Sequence, residues 1–134
     1  MDDSASFFAA DAFSQELGIR LITASKGRST MELTITDKHR NPHGTVHGGV
    51  IFSLADVAFA LASNSQGVPA VAINTSITYM KAATTGILYA EAEEFSKNAK
   101  LGSYIVEIYD QEREKIAVFQ GLAYRKTPRI TEKK

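Results

Sequence analysis

The sequence predicts an α+β fold in which a curved, mostly antiparallel sheet of five or six strands wraps around one long helix. Residues 47–65 are rich in Ala, Leu and Val and contain no Gly or Pro after Gly49, which is typical of a long buried helix. From residue 70 onward, segments of alternating apolar and polar residues are separated by glycine or charged turns, which is typical of antiparallel strands.

A short amphipathic helix is predicted near the N-terminus. Apolar residues between positions 4 and 17 recur at helical spacing. Ser4 or Ser6 would cap this helix and Gly18 would end it.

Strands and a loop are predicted between this helix and the central one. Residues 19–35 alternate on both sides of a Lys-Gly turn at 26–27, which indicates a strand pair or one long bent strand. Residues 37–46 contain Pro42 and Gly44 and are expected to form a loop.

Four more strands are predicted after the central helix, joined by short turns as in an antiparallel meander. Their segments are 70–81, 86–97, 102–111 and 115–126. We expect one domain at residues 13–126, after an N-terminal extension at 1–12 and before a tail at 127–134. One helix covers only one face of a sheet, so a second copy of the chain is expected to cover part of the remaining apolar surface.

The composition excludes several classes of function. Among 134 residues, 15 Lys and Arg balance 15 Asp and Glu, so no broad charged field attracts nucleic acid or an anionic membrane surface. The chain has no Cys, which excludes disulfides, thiolate metal sites and cysteine nucleophiles. The first residues are acidic and the longest apolar run, 50–62, contains Asp56, so we expect a cytoplasmic protein without a membrane span.

The segment HGGVIFSLADVAFALASNSQG, residues 47–67, resembles the central-helix motif of hotdog-fold acyl-CoA thioesterases of the phenylacetic acid degradation type, the PaaI-like family. The residues that carry the resemblance are Asn41, His47, Gly48, Gly49 and Asp56. The resemblance implies hydrolysis of an aryl-acyl-CoA such as phenylacetyl-CoA. It implies no cofactor or metal, because coenzyme A is part of the substrate.

The same residues fit the chemistry of thioester hydrolysis. Backbone N–H groups at a helix N-terminus form an oxyanion site, so the Gly48 N–H, with that of Gly49 beside it, is the candidate donor. Asp56 is the only charged side chain between His47 and Lys81 and is the candidate base or nucleophile. A structural carboxylate inside the core is the alternative for Asp56.

The spacing of these two groups predicts a dimer. Eight helical residues separate Gly48 from Asp56 by about 12 Å, which is too far for both to act on one carbonyl. If both act on one substrate, Asp56 must come from another subunit. We therefore expect a homodimer with antiparallel central helices, and the resemblance implies a homotetramer built from two such dimers.

Further roles follow from the resemblance or stay open. Asn41 would position water or the carboxylate, although an Asn before Pro also forms turns without any catalytic role. His47 would orient the loop or cap the helix. Family members often carry a Ser where this chain has Ala72, and Thr75 is a possible substitute.

The resemblance places coenzyme A at the turn KNAKLG, residues 97–102. The residues of this group are Lys97, Lys100, Leu101 and Gly102, together with Tyr79 and with Arg125 or Lys126. Each lysine can equally be a solvated turn residue, and Tyr79 can be a packing residue. The acyl group is expected among the apolar helix residues Leu54, Val57 and Phe59.

The sequence also raises the questions of a metal site and of other functions for the same fold. His39, His43 and His47 recur every four residues, but Pro42 and Gly44 interrupt any common helix, so no metal site is expected. A hotdog hydratase or dehydratase, or a domain that binds acyl-CoA without turnover, are the alternative functions. Thiol release, the absorbance of an enoyl thioester, or binding alone would distinguish them.

Overall fold

Within residues 3–126, which the computed structural model describes, six strands form one antiparallel sheet and a long helix crosses its inner face. The strands are β1 (Ile19–Ser25), β2 (Arg28–Thr34), β3 (Ala70–Tyr79), β4 (Ile87–Lys97), β5 (Leu101–Tyr109) and β6 (Lys115–Arg125). The helices are α1 (Asp3–Ala9), α2 (Ala12–Leu17) and α3 (Gly48–Ser63), and a 3₁₀ turn spans Asp37–His39. The architecture agrees with the predicted α+β fold.

The order of strands across the sheet is β1-β2-β4-β5-β6-β3, with every neighbouring pair antiparallel. Strands β4 to β6 form the predicted meander. Strand β3 departs from it, because α3 carries the chain across the sheet and β3 then pairs with β6 at the far edge. One edge of β3 is therefore left unpaired within the described chain.

Helix α3 forms the centre of the core and begins one residue after the predicted start. His47 is its N-cap, and the Asn64 amide at its C-terminal end donates to the carbonyls of Ala60 and Ala70. Side chains such as those of Leu54 and Phe59 are fully buried. Full burial of a large apolar side chain contributes about 1.5–3 kcal/mol, so packing rather than helix propensity holds α3 in place.

The N-terminal prediction of one helix is wrong, because the segment contains two. The Asp11 carboxylate accepts hydrogen bonds from the backbone N–H of Ser14 at 3.0 Å and from its hydroxyl at 2.6 Å, which starts a new helix. Ser4 and Ser6 lie within α1 rather than at its cap. Gly18 ends α2 in the left-handed conformation, as predicted.

Strands β1 and β2 form a pair, which decides between the two predicted alternatives. Phe8 of the N-terminal extension is buried in the core, so the described part of residues 1–12 packs onto the domain. The predicted tail, 127–134, lies outside the described residues. Among residues 3–126, no helix has the length and apolar character needed to cross a membrane.

Candidate active site

A buried histidine fixes the loop that leads into α3. The backbone N–H of Thr36 donates to His39 Nδ1 at 2.9 Å, and His39 Nε2 donates to the carbonyl of Leu17 at 2.8 Å. The His39 carbonyl accepts the backbone N–H of His47 at 2.8 Å. His39 is 1% exposed, so it connects the end of α2 to the first turn of α3 from inside the core.

Asn41 uses its side chain inside the same loop. Its Oδ1 accepts the backbone N–H groups of His43 at 2.9 Å and Thr45 at 3.2 Å, and its Nδ2 donates to the Thr45 hydroxyl at 3.0 Å. These bonds form an Asx-type turn, which is the structural alternative predicted for this residue. Within residues 3–126, one amide hydrogen of Nδ2 has no acceptor and is left for a substrate or a water molecule.

The first turn of α3 leaves one donor without an acceptor. His47 Nδ1 accepts the Gly49 N–H at 2.8 Å, which caps the helix and places the imidazole hydrogen on Nε2. The His47 carbonyl accepts the N–H of Val50 at 2.9 Å. Within residues 3–126 the Gly48 N–H donates to no acceptor, so Gly48, rather than Gly49, is available to a ligand.

Tyr79 contacts this turn from the edge strand. Its hydroxyl donates to the Gly48 carbonyl at 3.0 Å, and a pocket of ≈ 400 Å³ lies beside the two residues. The pocket is lined by Val46, Gly48, Ile51, Tyr79, Met80, Lys81 and Ala82. A small apolar pocket next to an open N–H group fits a carbonyl with an apolar substituent.

Asp56 lies near the middle of α3. Its carboxylate is half-buried and forms no hydrogen bond or ion pair within residues 3–126. Burial raises the pKa of this carboxyl above its ordinary value, and the nearby Asp11 carboxylate raises it further. A desolvated carboxylate without a partner is typical of a functional rather than a structural acid.

Gly48 and Asp56 lie on one continuous helix, as predicted. The helical rise of 1.5 Å per residue therefore separates them by about 12 Å within one chain.

The structure does not bring the predicted coenzyme A turn to this site. Tyr79 pairs with Ala117 of β6, whereas Gly102 pairs with Ala123 of the same strand. Six strand residues place the two groups about 20 Å apart in one chain. Lys97 and Lys100 are exposed, but Gly102 is buried, and a Cβ there would lie 2.9 Å from the Tyr104 ring. Packing against Tyr104 therefore explains why a glycine occupies position 102.

The apolar residues predicted to contact the acyl group are buried in the core. Leu54 is 0% exposed, and Val57 and Phe59 are also buried, so none presents an accessible surface in the single chain. Thr75 lies opposite Gly121 on the inner face of the sheet and is half-buried.

The remaining basic residues are committed to other contacts or lie apart. Arg125 Nη1 donates to the Asn98 carbonyl at 2.9 Å, which holds the turn at residues 97–102 in shape. His39 and His47 use ring nitrogens on the main chain, and His43 is exposed. Among residues 3–126, no three His, Cys, Asp or Glu side chains are grouped to hold a metal ion.

Sequence reasoning missed several residues that the structure places at the first turn of α3. Ser53 donates to the Gly49 carbonyl at 2.7 Å, and Ile51, Met80 and Lys81 line the pocket. A Ser four residues after a helix-starting Gly was an available signal for Ser53. No local signal indicates Met80 or Lys81, because the pairing of β3 with β6 brings them there.

Comparisons with known proteins show the family of the chain. Residues 43–117 match the thioesterase superfamily. The chain is 38% identical to the acyl-coenzyme A thioesterase PaaI of Escherichia coli, over 86% of this chain and 83% of the relative. It is 43% identical to a putative esterase of Archaeoglobus fulgidus, over 86% and 75%.

Solved structures of related proteins have the same fold. The structure of E. coli PaaI, from the phenylacetic acid degradation operon, superposes with a TM-score of 0.90 at 35% identity, covering 93% of this chain and 91% of that one. Streptococcus mutans smu.793, solved with bound acetyl-CoA, superposes with a TM-score of 0.78 at 25% identity, covering 83% and 90%.

Proposed function

Since this chain belongs to the thioesterase superfamily, we propose that this hotdog-fold acyl-CoA thioesterase hydrolyses aryl-acyl-CoA substrates such as phenylacetyl-CoA to the free acid and CoA. The predicted family, fold class and enzyme class are confirmed. The operon of the E. coli relative supports the aryl substrate. The bound acetyl-CoA in the S. mutans structure supports an acyl-CoA partner.

The open N–H of Gly48 is the observation that carries the mechanism. In the proposal, the thioester carbonyl lies in the pocket beside Tyr79 and its oxygen accepts this N–H. The positive end of the α3 dipole stabilises the oxyanion as the carbonyl carbon becomes tetrahedral.

Asp56 of a second subunit supplies the other half of the reaction. As a general base it takes a proton from water, whose oxygen attacks the carbonyl carbon, and the C–S bond then breaks to release CoA as the thiolate. As a nucleophile its carboxylate attacks the carbon directly, and the C–S bond breaks to release the CoA thiolate and leave a mixed anhydride. Water then hydrolyses that anhydride to the free acid and regenerates the Asp56 carboxylate. Both routes need the ionised carboxylate. Asn41 and Thr75 are proposed to hold the water.

The homodimer is proposed to form through β3. This edge strand has an unpaired side within the described chain, and Ile73 is 55% exposed on it. An uncovered apolar edge strand is a template for pairing with a second chain. Pairing of two β3 strands around a two-fold axis would bring two α3 helices side by side in opposite directions.

Coenzyme A is proposed to bind across the dimer. The turn that carries Lys97 and Lys100 begins beside Gly102, about 20 Å from Tyr79 in the same chain, so the two lysines are proposed to meet the phosphates of substrate bound at another subunit's site. Exposed Phe95 on the outer face of the sheet supports contact between dimers in a homotetramer.

Thiol release from a panel of aromatic, short and long acyl-CoAs tests the activity. Wild type is compared with Asp56→Asn, which keeps the size of the side chain but removes the charge. We expect turnover to fall by roughly 10²–10⁴-fold in a folded variant of unchanged oligomeric state. Glu112→Gln, in the exposed β5–β6 turn, is the matched control.

The outcomes separate the alternatives. Absence of thiol release from every acyl-CoA, with a change in enoyl-thioester absorbance, would replace the proposal by a hydratase. Binding of acyl-CoA with neither signal would indicate a binding domain. Full activity of Asp56→Asn would leave the thioesterase assignment intact but remove Asp56 from the mechanism.

A further inference from the structure

Side chains hold three of the four polar main-chain groups of Gly48 and Gly49. Tyr79 Oη donates to the Gly48 carbonyl at 3.0 Å, His47 Nδ1 accepts the Gly49 N–H at 2.8 Å, and Ser53 Oγ donates to the Gly49 carbonyl at 2.7 Å. The fourth group, the Gly48 N–H, has no acceptor within residues 3–126. We call the three holding side chains the glycine clamp.

We propose that Tyr79 and Ser53 are positioning residues that, together with His47, fix the Gly48–Gly49 segment so that the Gly48 N–H stays directed at the substrate carbonyl. This inference rests on the proposed thioesterase function. It gives Tyr79 a role different from the coenzyme A contact that the family resemblance implies.

The physical need for a clamp follows from the two glycines. Glycine has more backbone freedom than any other residue, so two in succession at a helix end are prone to fray. The Gly48 carbonyl and the Gly49 N–H belong to one peptide unit, and Tyr79 and His47 hold it from opposite sides. Preorganised donors are effective because they need no reorientation as charge develops on the oxygen.

The position of Tyr79 suits this role better than a surface contact. Its residue is 50% exposed, yet a Cβ on Gly48 would lie only 3.4 Å from its ring, so the ring packs directly against the glycine. Strand pairing of Tyr79 with Ala117 fixes the backbone that carries the ring. The hydroxyl therefore connects the first turn of α3 to the edge of the sheet.

Steady-state kinetics of Tyr79→Phe and Ser53→Ala test the clamp. Each substitution removes one hydroxyl, and we expect kcat to fall roughly twofold to tenfold with KM unchanged, and further in the double variant. The matched control is Tyr109→Phe, which removes a tyrosine hydroxyl that donates to Glu107 on the outer face of the sheet at 2.7 Å. Its kcat should equal that of wild type.

A rise in KM at unchanged kcat would assign Tyr79 to coenzyme A binding and overturn the inference. Unchanged kinetics in both variants would also overturn it, while leaving the thioesterase proposal intact. A wild-type protein that releases no thiol would overturn the proposed function and this inference together.

Amide hydrogen exchange gives a readout independent of turnover. In the wild type, the open Gly48 amide should exchange faster than the His47-bound Gly49 amide. Tyr79→Phe should raise the Gly49 exchange rate roughly twofold to tenfold, and Tyr109→Phe should not. Equal Gly49 rates in wild type and Tyr79→Phe would contradict the clamp.

Discussion

Proline at position 48 would remove the one hydrogen atom on which the proposed oxyanion site depends. Gly48 is the first residue of α3, where proline is readily accepted because that N–H has no helical partner. His47 has φ −60° and ψ 135°, which is the region favoured by a residue before proline. The atoms nearest to a Cβ at position 48 belong to Tyr79, at 3.4 Å, which is an ordinary contact.

The expected size of the effect follows from these contacts. Loss of one oxyanion donor lowers kcat by roughly 10²–10³-fold. The Gly48 N–H has no acceptor within residues 3–126, so the substitution breaks no internal hydrogen bond. The unfolded chain loses conformational freedom, so the free energy of unfolding should stay within about 1 kcal/mol of wild type.

Thiol release and thermal unfolding should be measured together for Gly48→Pro and Gly48→Ala. The alanine variant keeps the N–H and adds the same Cβ contact, so its kcat should stay within a few-fold of wild type. A folded Gly48→Pro variant with wild-type kcat would refute the Gly48 N–H as the oxyanion donor. Equal losses in both variants would show that the Cβ, rather than the missing N–H, causes the effect.

Mixing of two inactive variants tests the shared site. Gly48→Pro and Asp56→Ala each destroy both sites of their own homodimer. In a mixed dimer one site carries both defects and the other carries neither, so random exchange in a 1:1 mixture should restore about a quarter of wild-type activity. If the mixture stays inactive although exchange is complete, the two groups do not act across subunits.

Three further substitutions test other parts of the argument. Asp11→Asn keeps a good N-cap but removes a charge that raises the Asp56 pKa. Because the base must be ionised, the acid limb of the pH profile of kcat/KM should move to lower pH, and an unmoved limb would exclude this coupling. Gly121→Ala places a Cβ 2.7 Å from the fully buried Phe59 ring, so urea unfolding should show about 1–3 kcal/mol of destabilisation. Lys26 in the β1–β2 turn has φ 53°, a conformation that Asn tolerates better, so Lys26→Asn should stabilise the protein by a few tenths to about 1 kcal/mol in the same urea assay. A loss of stability would contradict the idea that Lys26 strains the turn.

Local patterns in the sequence were sufficient for most of the elements. The apolar run after Gly49 predicts α3 because periodicity and the absence of helix breakers depend only on neighbouring residues. Gly18 ends α2 for an equally local reason. The helix break at Asp11 was missed, because the apolar spacing continues across it and only the hydrogen bonds to Ser14 reveal the cap.

The position of β3 in the sheet and the accessibility of the site residues could be learned only from the tertiary structure. Whether β3 lies beside β2 or beyond β6 depends on the path of α3 across the sheet, which no short segment encodes. The sequence predicts that α3 is buried but leaves open which of its side chains a ligand can reach, so it did not show that Leu54 and Val57 are covered within the single chain.

By itself the sequence determined the motif from Asn41 to Asp56, the long helix that carries it and the family to which the chain belongs. Those features depend on residue types and short spacings. Only the tertiary structure decided that Tyr79, from the edge strand, binds the Gly48 carbonyl, while the Gly48 N–H has no acceptor within residues 3–126. Hydrogen-bond partners depend on which distant residues the fold brings within 3 Å or so of each other, and that is a property of the packed chain.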